Sequence, residues 1–205
     1  MKIWGRANSV NVKKVLWCAA ELGLSFEHVN AGGAHGVVNE PAYRALNPNG
    51  VVPCLEDGDL VLWESNAIVR YLAARYGAGS LYLADPAARA VGDKWMDWAT
   101  SSFAMPFRDV FWHLVRTAPE QRDMALVERS RATCAGLLER VDAALAQTPY
   151  LSGAAFGMGD IPLGCFAYGW FEMPIARPDL PHFADWYARV SARPAYRATV
   201  AIPLT

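Results

Sequence analysis

The sequence predicts two unlike parts: a small α/β domain of element order β-α-β-α-β-β-α, followed by an all-α helical domain. Three observations lead there. Strand-like and helix-like stretches alternate through residues 1–78. An Asp57-Gly58 pair between two apolar runs marks a hairpin. Beyond Pro86 the strand signals vanish and only helical spacing remains.

Lys2 to Gly5 reads as a short strand. Val12, Val15, Leu16, Ala19 and Leu22 recur at helical spacing, and Gly23 stops that helix. Phe26 to Asn30 reads as a second strand, and the glycine-rich stretch from Ala31 to Asn39 as a loop. Pro41 opens a short helix ending near Leu46. The runs Val51 to Glu56 and Leu60 to Trp63 form the hairpin. Ser65 then caps a helix carrying Ile68, Val69, Tyr71 and Leu72, with Gly77 near its end. Residues 79–86 are read as a linker, between a domain over 1–78 and a domain over 87–205. In the second domain Ala87 to Val115 predicts a long helix interrupted near Pro106. Glu120 to Gln147 predicts another, with Ala125, Leu126, Cys134, Leu137, Leu138, Val141 and Leu145 on one side. Asp160 to Phe171, Pro181 to Ala192 and Pro194 to Val200 predict shorter helices.

Composition narrows the function. With 19 basic and 20 acidic residues the net charge is −1, and no basic stripe for nucleic acid appears. Arg6, Lys13 and Lys14 break up the N-terminus as a signal peptide, and the run Ile161 to Phe171 is too short to span a bilayer, so a cytoplasmic protein is expected. The four cysteines show neither a C-x-x-C pair nor zinc-ligand spacing, so no metal is expected. They read as free thiols.

Three stretches carry a resemblance. They are Ser9-Val10-Asn11-Val12-Lys13-Lys14-Val15, Asn47-Pro48-Asn49-Gly50-Val51-Val52-Pro53 and Glu64-Ser65-Asn66-Ala67-Ile68. In that order and spacing, ahead of a helical domain with Gly159-Asp160-Ile161 at a late helix, the chain resembles the cytosolic glutathione transferase superfamily. Its serine-type, theta- or phi-like members are the nearest in pattern. The resemblance implies a thioredoxin-like first domain, glutathione as co-substrate, a small-molecule electrophile, detoxification chemistry and a homodimer. Conjugation, peroxide reduction, isomerisation and dehalogenation all remain open. The alternative is a non-catalytic binding or assembly domain of the same build.

Each stretch has its own chemistry. Ser9 sits where the first strand meets a helix. A helix N-terminus and a hydroxyl donor there stabilise a thiolate, whose parent thiol titrates near 8.5. Serine in that place is also an ordinary helix cap. Asn11 is a second donor to the sulfur. No Tyr precedes Tyr43 and no Cys precedes Cys18, so tyrosine-dependent and disulfide-exchanging members do not fit. Val52-Pro53 matches the family's cis-proline segment, where Val52 pairs with a peptide ligand through its backbone. Glu64 is expected on the α-amino group and Ser65 on the γ-glutamyl carboxylate, with Asn66 beside them. Related proteins put basic residues in the loop before the second helix to meet the glycine carboxylate; here only His35 is near, with Asn39 and Asn49 as neutral donors. Cys54 either reaches the glutathione as a mixed disulfide or points into the sheet core. Asp160 is read as structural, bonding back to the Gly157 N–H. Trp95, Trp98, Phe103, Met105, Phe107, Phe111 and Trp112 follow helical spacing with Arg108 and Arg116 among them. Phe103, Phe107, Arg108 and Trp112 are the candidate electrophile pocket, Arg108 as a cation for an acidic substrate or a leaving group.

Overall fold

A computed structural model describes residues 1–205. The first part contains β1 (Lys2–Trp4), α1 (Val10–Glu21), β2 (Glu27–Val29), α2 (Pro41–Leu46), β3 (Cys54–Asp57), β4 (Leu60–Trp63) and α3 (Ser65–Tyr76). Its sheet runs β2-β1-β3-β4. β1 lies parallel to β2, with Ile3 beside His28, and antiparallel to β3, with Ile3 beside Leu55. The β3–β4 hairpin pairs Leu55 with Leu62. This is the β-α-β-α-β-β-α order expected from the sequence.

Two local readings are corrected. β3 begins at Cys54 rather than Val51, because Pro53 has no N–H to donate to a ladder. Ser65 is the first residue of α3 and does not cap it. Glu64 takes the cap position at φ 71°, a conformation that a side chain with a Cβ rarely adopts.

The second part is helical: α4 (Pro86–Trp98), α5 (Ala104–Phe111), α6 (Met124–Leu145), α7 (Ile161–Glu172), α8 (Pro181–Ser191) and α9 (Pro194–Thr199). The break expected near Pro106 lies before it. Residues 99–103 widen into a π turn between α4 and α5. Pro106 has no N–H for the Ser102 carbonyl, so the preceding turn relaxes. A second π turn, Trp112–Arg116, extends α5. α6 starts where Asp123 accepts the Leu126 N–H at 2.8 Å. Its buried face begins at Val127; Ala125 is exposed and Leu126 half-buried, because the first turn overhangs the core.

One buried cluster runs through both parts. α1 is its spine. Trp17 is fully buried, its ring centroid 4.9 Å from that of Tyr196. A Cβ at Gly164 of α7 would sit 2.6 Å from the Trp17 ring, so only glycine lets the two helices approach this closely. Asp160 is fully buried and accepts from the N–H groups of Leu151, Ser152 and Gly157 and from the Trp186 indole. It ties the Gly157 turn to α8, which agrees with its reading as a structural residue. No helix is long and apolar enough to cross a membrane, and no group of His, Cys, Asp and Glu could hold a metal.

Candidate active site

A cleft of about 520 Å³ opens between the sheet domain and the α5 side of the helical domain. Its floor is the β1–α1 junction. Gly5 ends β1 at φ 149°, and a Cβ there would meet Val12 at 2.4 Å, so glycine allows the chain to fold over α1. Ser9 follows as the N-cap of α1, 8% exposed and lining the cleft. Its side chain makes no capping hydrogen bond. Ser9 therefore occupies the cap position without doing a cap's usual work.

Asn11 lines the same cleft. Its Oδ1 accepts from Lys14 Nζ at 2.9 Å and from Ser65 Oγ at 3.4 Å. These bonds occupy the oxygen and leave the amide nitrogen as the outward group. Ser65 does not line the cleft but joins it through Asn11. Lys14 is buried against the Phe166 ring, 5.0 Å from its centroid, and burial pulls its pKa down to about 8. Lys13, also pulled down to about 8 by burial, donates to the Val200 carbonyl at 2.8 Å.

The opposite wall of the first domain is the loop before β3. The Val52-Pro53 bond is cis, Val52 lines the cleft, and Pro53 is buried beneath it. Tyr43 Oη and Asn47 Nδ2 both donate to the Val51 carbonyl, at 2.7 and 2.8 Å, and pin the loop. The Val52 N–H and C=O make no internal backbone hydrogen bond and stay open.

Other candidates lie elsewhere. The Asn66 amide turns toward the helical domain and donates to the Met96 carbonyl at 2.7 Å and to Thr100 Oγ1 at 3.1 Å. Asn49 folds back onto Asn47 through its N–H and its amide. Asn39 accepts from Arg44. His35 sits in an exposed 3₁₀ turn outside the cleft lining. Cys54 is buried with Ala31 and Tyr43, and burial pushes its thiol up to about 11. It follows the sheet-core reading.

On the helical side Phe107, Arg108 and Trp112 line the cleft together with Met105 and Phe111. Phe103 does not. It is fully buried among Trp98, Phe107 and Phe166, because that turn of the helix faces α7 instead of the opening. Sequence reasoning missed Arg6, whose stem packs along Gly33 with its guanidinium at the cleft. The available signal was its place in the β1–α1 loop, three residues before Ser9. It also missed the segment Pro203–Thr205, which lines the cleft. Asn8 donates to Thr205 Oγ1 there, and Arg116 to the Thr205 carbonyl.

A mixed sheet with a cis-proline loop beside a helix N-terminus, joined to a helical bundle, is the two-domain build that the resemblance implies for a glutathione transferase. The family comparison is specific. Residues 1–74 match the glutathione S-transferase N-terminal domain and residues 124–189 its C-terminal domain. Glutathione S-transferase GstB of Escherichia coli K12 is 45% identical over 205 residues, covering 99% of each chain. Glutathione S-transferase 3 of Zea mays is 36% identical, covering all of this chain and 95% of its own. A theta-class glutathione S-transferase from Xanthomonas axonopodis pv. citri, solved with glutathione bound, superposes with a TM-score of 0.97 at 61% identity, covering 100% of this chain and 98% of that one. The chain belongs to the glutathione S-transferase family, and glutathione transfer is its enzyme class.

Proposed function

We propose that the chain is a serine-type glutathione transferase in which Ser9 holds the glutathione sulfur as a thiolate. The observation that carries this reading is a Ser9 hydroxyl at the cleft without a capping bond, above the positive end of α1. Asn11 supplies a second donor, since its oxygen is already taken by Lys14 and Ser65. The open Val52 backbone pairs with the cysteinyl unit as an added strand. The free N–H groups at the start of α3, with Ser65, take the γ-glutamyl carboxylate, and Glu64 takes the amino group. Arg6 replaces His35 and Asn49 as the partner of the glycine carboxylate. Asn66 serves the domain junction instead.

In this reading residues 1–78 bind glutathione, 79–86 link, and 87–205 supply the electrophile wall. The electrophile is a small molecule, the enzyme is cytoplasmic, and the working unit is a homodimer, which sedimentation at twice the chain mass tests. The mechanism is tested on immobilised glutathione and with 1-chloro-2,4-dinitrobenzene. The wild type is retained and conjugates the halide; Ser9→Ala is retained but loses about tenfold or more in kcat at neutral pH. No retention of wild type at millimolar glutathione, or full activity in Ser9→Ala, overturns the reading.

A further inference from the structure

We propose that the electrophile this cleft selects is an aromatic acid, its anionic group met by Arg108 and Arg116 on the helical wall. The inference rests on the transferase reading above and adds the class of the second substrate. Four cationic side chains line the cleft, Arg6, Lys13, Arg108 and Arg116, and no Asp or Glu joins them. The whole chain carries a net charge of −1, so the positive bias is local to this opening.

Glutathione does not use all four. Its γ-glutamyl end belongs to α3, its glycine carboxylate to Arg6, and its thiolate to the α1 terminus near Lys13. Arg108 and Arg116 remain, on the opposite wall. Arg108 forms no ion pair. Arg116 pairs with no Asp or Glu and reaches the main-chain oxygen of Thr205, at 3.3 and 3.2 Å. Both guanidiniums lie over the Trp112 ring, 5.9 and 5.5 Å from its centroid, and Arg116 is 5.2 Å from that of Phe111. Aromatic faces hold the cations at the wall and leave their donors outward. Burial and then the charge of Arg6 push Arg116 below its ordinary pKa. Arg108 and Arg116 thus flank one aromatic ring in a cleft lined by no Asp or Glu side chain, and an anion entering it is attracted. Met105, Phe111 and Tyr168 supply apolar surface for a ring.

The chemistry stays that of substitution. The thiolate attacks the ring carbon bearing a halogen, a C–S bond forms, and the halide leaves with the electron pair of its bond. The thiol proton has already gone to solvent, and the substrate's carboxylate is unchanged.

The test compares 4-chloro-3-nitrobenzoate with the neutral 4-chloro-3-nitrobenzamide, using the full chain and glutathione. Each kcat/KM is divided by the uncatalysed rate constant. The wild type favours the benzoate about tenfold, the worth of one charged contact. Arg108→Gln cuts that ratio severalfold, chiefly through KM; Arg108→Lys restores part of it, and high salt erodes it. A ratio near one in wild type, or a ratio unmoved in both Arg108→Gln and Arg116→Gln, overturns the inference. Turnover of the benzamide alone, or of neither compound, overturns it too. Retention on immobilised glutathione in the same preparations shows whether the underlying transferase reading failed as well.

Discussion

Asp160→Ala removes the acceptor at the centre of the helical domain. Oδ1 takes the Leu151 N–H at 2.8 Å and the Trp186 indole N–H at 2.8 Å; Oδ2 takes the Gly157 N–H at 3.1 Å and the Ser152 N–H at 3.3 Å. Burial pushes this carboxyl's pKa up, and hydrogen bonds from Ser152, Trp186, Gly157 and Leu151 oppose that. Each buried donor left unsatisfied costs about 1–3 kcal/mol, and the effects are not additive. Allowing for water in the vacated space, the loss is about 4 kcal/mol, a large share of a typical ~5–15 kcal/mol stability. For a chain of this length that lowers Tm by roughly 8–16 °C. Asp160→Asn is the sharper control. It keeps an acceptor for Leu151 and Trp186 but turns an NH₂ toward the Gly157 and Ser152 donors, so it recovers at most half. Thermal unfolding followed by circular dichroism reads both variants. A loss below about 1 kcal/mol in Asp160→Ala would refute the account of Asp160 as the tie between the 157–160 turn and α8.

Three further outcomes are expected. Lys14→Met removes a cation whose pKa burial lowers from 10.5 to about 8. Below pH 8 the native state keeps this charge buried, and the strain is relieved as pH rises from about 8 to 10.5. The stability of wild type relative to Lys14→Met therefore climbs by about 3 kcal/mol across that window, measured by urea unfolding. A flat difference sinks this. Glu64→Gly relieves the φ of 71° and raises stability by up to about 1 kcal/mol, while glutathione affinity, measured by calorimetry, falls. Unchanged affinity would remove Glu64 from the amino-group site. Gly164→Val drives a side chain into Trp17, costing about 1–3 kcal/mol in a denaturant midpoint. A neutral result would mean α7 has slack.

The order of elements was legible because strand and helix periods alternate cleanly, and the Asp57-Gly58 turn fixed the hairpin. Ser9, Asn11 and Val52, which line the cleft, were legible through the three stretches that carry the family resemblance; by local pattern alone Ser9 reads as an ordinary helix cap. What failed depended on facing. Phe103 and Phe107 lie one turn apart, and only the position of α7 decides that Phe103 is core and Phe107 borders the opening. Asn66 looked like a partner of Ser65, yet the helix N-terminus offers its backbone to one side and the Asn66 amide to α4 on the other. Arg6 was hidden because its guanidinium reaches the cleft only where Gly32 and Gly33 leave room, a long-range fact.

α1 meets the cleft with its first residue and the helical domain with its body, through Trp17 against Gly164 and Tyr196. Both banks of the opening are thus moored to a single rod. Its aperture is a matter of carpentry and not of a hinge. A change in the breadth of substrates accepted must come from re-cutting the side chains along α5 or lifting the 203–205 segment, and swinging one domain away from the other would displace Ser9 itself.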